Sequence, residues 1–267
     1  MSLKSGYFFL NMIIEHQGIP VYFSSKGHGK PLVLLHGFLE SSKIWDPYLE
    51  ELAAKRRVIC IDLPGHGNTG IFGEVHSMEL MAQVVNIVLE ELNISRATII
   101  GHSMGGYVSL AFAELYPEKI SGVVLMNSVP VADTEEKRIN RDKSAKLVAK
   151  NKSAYIKMAI QNLVALGNEI IFKDELERLE REVQKFPAEG IIANLKGMKI
   201  RTDRIKALKQ LTSYKLMICG TEDPIMPLKS IESLGKLCEC PVISINGGHL
   251  SHIENFAAVR EIMHYID

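Results

Sequence analysis

Three reactive side chains occupy matching positions along this chain. Ser103 follows the apolar run "ATII", within "IIGHSMGGYVSL"; Asp223 follows "KLMICGTE"; His249 follows "PVISINGG". A serine hydroxyl is a weak nucleophile until an adjacent base takes its proton. Imidazole suits that task, because it titrates near neutrality and can return the proton to a leaving group. A buried carboxylate fixes the imidazole tautomer and stabilises the transient imidazolium. Together the three types are those of nucleophilic acyl transfer. Gly101, Gly105 and Gly106 add a steric argument. Glycine inside a strand or helix costs roughly 0.5–1 kcal/mol relative to alanine, so three around one serine imply a turn too tight for side chains. Such an elbow lifts the hydroxyl above its surroundings. An oxyanion needs backbone donors, and the Met104 N–H stands where the following helix begins, with unpaired donors and a positive dipole end. Phe38 N–H, in "LLHGFLE", is the expected second donor.

Residues so far apart in sequence need a scaffold that gathers them. Short β-branched runs recur at 19–25, 30–37, 56–62, 96–102, 120–128, 214–220 and 240–247. From residue 30 onward they are continuously apolar, the signature of strands buried on both faces. Helix-like segments separate them, among them 78–93 and the stretch from Met104 that stops before Pro117. Alternation of this kind predicts an α/β fold, a mostly parallel central sheet with helices on both faces. In such sheets ligands bind beyond the carboxyl ends of the strands, which is where Ser103, Asp223 and His249 fall. Residues 133–209 break the alternation, being charged and helix-favouring with no good strand. They form a helical insertion between two strands, carrying 18 Lys+Arg against 12 Asp+Glu in a chain of zero net charge. An entrance lined by those cations would favour anionic substrates, although pairing along the helices is the plainer reading.

The order Ser, Asp, His, with the pieces "HGF" (36–38), "DLPGHGNT" (62–69), "GHSMGG" (101–106), "GTEDPIMP" (220–227) and "GGHLSHIEN" (247–255), resembles the α/β-hydrolase superfamily of cofactor-independent serine hydrolases. The resemblance spans residues 36–255. It implies an α/β-hydrolase core built from 1–132 and 210–267, with 133–209 as a helical cap over the active site. It also implies Ser103, Asp223 and His249 as the catalytic triad, and neither cofactor nor metal. Thr69 and Phe256 depart from the family's frequent serine and proline, at positions that shape turns.

Rivals exist for each role. His252 lies three residues beyond His249 and is expected in the next helix. Glu222 and Asp133 compete with Asp223; some relatives carry the acid after the strand ending near 126, where this chain has Asn127. Asp62 reads as a turn residue, and His36, His66 and His102 as structural. Trp45 could line the pocket or anchor a helix. The leading reading is a serine esterase, a carboxylesterase-like hydrolase of small to medium acyl esters acting through an acyl-enzyme. Lactonase, C–C hydrolase or lyase chemistry on the same triad remains open, as does a ligand-binding signalling protein with slow hydrolysis. Equal totals of 31 Lys+Arg and 31 Asp+Glu argue against nucleic acid as the main partner. No apolar run approaches the ~18 residues of a membrane span. "MSLKSGYFFLNMII" lacks a small-residue cleavage site and is not read as a secretory leader. Cys60 and Cys219 close apolar runs and read as buried hydrophobes, and Cys238 and Cys240 have no second metal pair, so a reduced, cytoplasmic setting is expected.

Overall fold

The computed structural model describes residues 10–266, so the opening nine residues of the N-terminal stretch considered as a leader lie outside the described residues. The strands are β1 (Leu10–His16), β2 (Ile19–Lys26), β3 (Lys30–Leu35), β4 (Arg56–Ile61), β5 (Ala97–His102), β6 (Ile120–Met126), β7 (Tyr214–Gly220) and β8 (Val242–Ile245). They form one sheet in the order β1-β2-β4-β3-β5-β6-β7-β8. β2 pairs antiparallel with both β1 and β4, and every pairing from β4 to β8 is parallel.

Helices α1 (Asp46–Ala53), α2 (Met78–Glu91) and α3 (Met104–Leu115) connect the first six strands. Between β6 and β7 come α4 (Glu135–Gln161), α5 (Asn168–Ile171), α6 (Lys173–Val183), α7 (Ala188–Ile200) and α8 (Ile205–Gln210). α9 (Leu228–Leu237) joins β7 to β8, and α10 (Ser251–Glu254) and α11 (Phe256–Tyr265) follow. Local signals set several boundaries. The Ser77 hydroxyl caps α2 by accepting from the Leu80 N–H at 3.1 Å, and Thr134 caps α4 through the Lys137 N–H at 3.3 Å.

Continuously apolar strands divide their side chains between two helical layers. Val33, Leu35, Ile99 and Val123 pack with Val85, Val108 and Phe112 of α2 and α3. Leu32, Leu34, Ile100 and Val124 pack with Trp45, Tyr48, Val259 and Met263 on the opposite face. Each such side chain contributes about 1.5–3 kcal/mol by leaving water. Trp45 is fully buried against Tyr48 and the His252 ring, which makes it an anchor for α1 rather than a pocket wall. All four cysteines are buried and free. No helix among the described residues is long and apolar enough to cross a membrane.

Two expectations need correction. β1 was not among the anticipated strands, because it forms an exposed ribbon with β2 and its Leu10 and Ile13 face solvent, so it carries no buried apolar run. The run 240–247 shortens to the edge strand β8, whose Ile243 and Ser244 are exposed. Having a neighbour on one side only, it is not buried on both faces.

Helix α7 lies backbone to backbone on the loops that precede α2. A Cβ at Gly197 would stand 1.7 Å from the His76 carbonyl oxygen. The His76 N–H also donates to the Ala193 carbonyl at 3.0 Å, and the buried Asn194 amide donates to Pro64 O at 3.0 Å. Gly197→Ala must force α7 off this seat, and we expect a loss of about 3 kcal/mol or more, measured by urea denaturation. Gly73→Ala, where a Cβ has open space and the only burden is a φ of 90°, serves as the comparison.

Candidate active site

β5 ends at His102 and α3 begins at Met104, so the chain reverses within one residue. Ser103 takes φ 49°, ψ −113°, a conformation that costs a non-glycine residue about 1–3 kcal/mol and persists only where neighbours over-determine it. The neighbours here are backbone. A Cβ on Gly101 would lie 2.3 Å from the Gly105 carbonyl, and one on Gly105 would lie 2.5 Å from Leu35 O. The elbow is held from outside by the Ser103 N–H donating to Met126 O at 2.9 Å and by Ser128 Oγ donating to Ser103 O at 2.7 Å.

His249 and Asp223 arrive from the loops after β8 and β7. His249 Nε2 lies 2.8 Å from Ser103 Oγ, and His249 Nδ1 lies 2.8 Å from Asp223 Oδ2. A carboxylate can only accept, so Nδ1 donates to Asp223, which turns Nε2 toward the Ser103 hydroxyl. Asp223 is buried, yet fully satisfied. Oδ1 accepts the Ile225 and Met226 N–H groups at 2.8 and 2.9 Å, and Oδ2 also accepts Asn127 Nδ2 at 2.9 Å. Burial works to raise its pKa; the His249 charge and these hydrogen bonds outweigh it and hold the carboxyl below the ordinary range. Asn127, weighed in the sequence as standing where an acid could lie, thus tethers Asp223. Its side-chain oxygen accepts from Ser251 Oγ.

Met104 opens α3, where its N–H has no intrahelical acceptor. Phe38 lines the same cavity as Ser103 and His249, which measures about 240 Å³. Arg141, Ser144, Tyr155 and Asn162, all from the segment between β6 and β7, close that cavity. Among the rivals, Asp133 is held by Arg141 and Arg201. Asp62 accepts from the Ser42 and Asn68 N–H groups, as a turn residue does. His36 and His66 sit beneath loops. His36 accepts from Leu63 N–H and donates to Gly37 O, and His66 accepts from Leu39 N–H and donates to Pro64 O, so both are neutral.

Sequence reasoning passed over Glu40. Its carboxylate, 1 % exposed, accepts from the Gly37 N–H at 2.6 Å and from His102 Nδ1 at 2.8 Å. His102 Nε2 faces the His249 carbonyl at 2.9 Å. Both His102 nitrogens meet acceptors only, so His102 is an imidazolium, in keeping with its raised pKa. Burial works to raise Glu40, but the His102 charge and hydrogen bond bring its carboxyl down to about 2. This pair links the Phe38 loop, the Ser103 elbow and the His249 loop. The signal in sequence was a lone acid in the otherwise uncharged "LLHGFLESS". Glu40, His102 and His252 have ligand atoms within 4.8 Å of one another, all buried. With both His102 nitrogens protonated and engaged as donors, the cluster is built as an ion pair and not as a set of metal ligands.

A family model of the alpha/beta hydrolase fold matches residues 30–154. An esterase from Thermogutta terrifontis, solved with malate bound, superposes with a TM-score of 0.87 at 28% identity, covering 96% of each chain. The pimeloyl-[acyl-carrier protein] methyl ester esterase of Aliivibrio salmonicida is 28% identical over 78% of this chain and 80% of its own length. A dihydrolipoyllysine-residue acetyltransferase component of an acetoin cleaving system from Pseudomonas putida is 31% identical over 88% of this chain, which spans 62% of that protein. The chain has the α/β-hydrolase fold, and the proteins it is similar to include hydrolases.

The buried histidines make stability pH-dependent. Burial pushes His252 down to about 3 and His76 to about 4, from an ordinary 6.5. Between those values and 6.5 the unfolded chain binds protons that the folded chain does not, so stability falls as pH drops through that window. His102, raised instead, is protonated in both states there and adds no slope. Glu40 adds a further loss below its ordinary 4.5. The urea midpoint should therefore decline from pH 6.5 to pH 4, and decline less steeply in His252→Gln.

Proposed function

We propose that this protein is a carboxylic-ester hydrolase working through an acyl-enzyme, with Ser103 as nucleophile, His249 as base and Asp223 as its orienting acid. The observation that carries the reading is the chain of two 2.8 Å contacts from Ser103 Oγ through His249 to Asp223. It ends at a serine lifted into the cavity by a strained turn. In this reading residues 133–209 are the cap over a core formed by 1–132 and 210–267. The esterases among its relatives support it, and the Ser103 nucleophile favours acyl transfer.

Each group then has a step. His249 Nε2 takes the Ser103 proton as Oγ attacks the ester carbonyl. Charge develops on the carbonyl oxygen, which the Phe38 and Met104 N–H groups receive; one such donor is worth roughly 3–4 kcal/mol in the transition state. The imidazolium, facing the ionised Asp223, returns its proton to the departing alcohol. Water, activated by the same imidazole, then releases the acid and restores Ser103. Neither cofactor nor metal enters these steps, and the partner is a small-molecule ester.

Ser103→Ala should abolish turnover of a chromogenic ester panel while keeping the thermal transition. A fluorophosphonate probe should label Ser103, and labelling at any other serine would refute the assignment. A protein that binds ligand with slow hydrolysis would stop after a single turnover, whereas repeated cycling is expected here. His249→Ala should lower kcat by about 10⁴-fold or more. His252→Ala, which removes a ring packed on Trp45 and His102, should lower it less than about tenfold, since the base itself is retained. Reversal of the two would show that the wrong histidine carries the proton.

A further inference from the structure

The cavity above Ser103 contains a charge that the reaction itself does not require. Arg141, on α4, lines it together with Ser103 and His249. Its Nε donates to Asp133 Oδ2 at 3.1 Å. Asp133 is already engaged by a second guanidinium, with Arg201 Nη1 at 2.6 Å from Oδ1 and both side chains almost fully buried. One carboxylate therefore stands between two permanent cations, and one positive charge remains. Arg201 cannot be its outlet, because that side chain is 2% exposed, lies over the Tyr107 ring at 4.0 Å and donates to backbone carbonyls. Arg141 is 24% exposed, and among the described residues its terminal amino groups have no protein acceptor. Lys137, one turn earlier on α4 and exposed, adds to the positive field rather than cancelling it. Of the nearby acids, Glu40 is neutralised by the His102 imidazolium, and Asp223 lies behind the His249 ring, outside the residues that line the cavity.

We infer that Arg141 is a carboxylate-binding subsite, so that the acyl group accepted by Ser103 ends in an anionic group. The inference rests on the ester-hydrolase reading above. A guanidinium offers two parallel donors to a carboxylate, a geometry that ammonium groups do not reproduce. Asp133 orients it through Nε and leaves the terminal fork available. Among the described residues that line the cavity, Arg141 is the cation left unmatched, with neutral hydroxyl and amide groups of Ser144, Tyr155 and Asn162 around it, which suits a monoanion. The volume of about 240 Å³ restricts the substrate to a short chain. A half-ester of a short dicarboxylic acid has that size. It would be cleaved by water to the free dicarboxylate and an alcohol.

The test compares monomethyl glutarate with its uncharged counterpart, the methyl ester of glutaric acid monoamide. In the wild-type protein kcat/KM should favour the carboxylate by about tenfold or more, as expected for a site built around a polar group. That ratio should collapse toward unity in Arg141→Met and be kept in part in Arg141→Lys. It should also shrink as ionic strength rises, because salt screens the capture of an anion. In parallel, glutarate is titrated calorimetrically into Ser103→Ala with and without Arg141→Met, and heat should appear only where Arg141 is present. Equal turnover of the two esters by the wild type overturns the subsite and leaves ester hydrolysis standing. Turnover of neither ester, with Arg141-dependent glutarate binding, overturns the hydrolase reading and leaves the subsite. The wild-type comparison decides even if the variant, which also loosens Asp133, fails to fold.

Discussion

The arrangement depends on one steric condition: β5 must pass into α3 with backbone against backbone. Gly101 and Gly105 meet at a distance that no Cβ would allow, and Gly105 also lies against Leu35 and His36 on the neighbouring strand. That contact forces Ser103 into its positive φ and directs its hydroxyl out of the sheet. It also seats the first N–H of α3 next to Ser103. The strain is stored locally and offset by the core packed around Val108 and Phe112. The position and the exposure of Ser103 both follow from the same close approach.

A second layer of order comes from buried polar groups whose hydrogen-bond partners each select one protonation state. Asp223 accepts from His249, Asn127, Ile225 and Met226 and stays ionised. His36 and His66 each donate once and accept once, which makes them neutral pins for the loops above β3 and β4. The Glu40–His102 ion pair is the most consequential of these. It has no hydrogen bond to Ser103 Oγ, yet it joins the Gly37 N–H, the residue preceding Ser103 and the His249 carbonyl. Buried charges are costly unless paired and hydrogen-bonded, and this pair is both. Three loops from distant parts of the chain are registered against one another through a single carboxylate.

The segment between β6 and β7 supplies what the core lacks, a wall for the cavity and a sign for its potential. Its docking is as specific as the elbow, with α7 against His76 and Gly65 through Gly197 and Gly190. Its charges are not merely a solvated surface. Lys199 pairs with Asp142, Arg204 with Glu79 and Glu114, and Asp133 with both Arg141 and Arg201. The local cationic excess is thereby narrowed to a few side chains, one of which, Arg141, lines the same cavity as Ser103.

Much of this was legible in the residues. Continuous apolar runs are buried on both faces whatever the chain connectivity, so the parallel strands and their helices could be read from periodicity. The elbow was legible because three glycines around one serine carry a conformational cost that only a very tight turn offsets. Asp223 and His249 were legible because reactive side chains at strand ends point to one edge of a parallel sheet. What needed the tertiary structure was everything that depends on approach between remote segments. The exposed strand β1 carries no buried pattern to read. Glu40 and His102 are sixty-two positions apart, and nothing in either neighbourhood specifies the other. Asn127 became the tether of Asp223 only once β6 and β7 lay side by side. The sign of the cavity was also hidden, because composition counts charges and only packing decides which of them cancel. Local spacing determines what a segment can become; the free energy of a buried charge depends on which partner the fold brings to it.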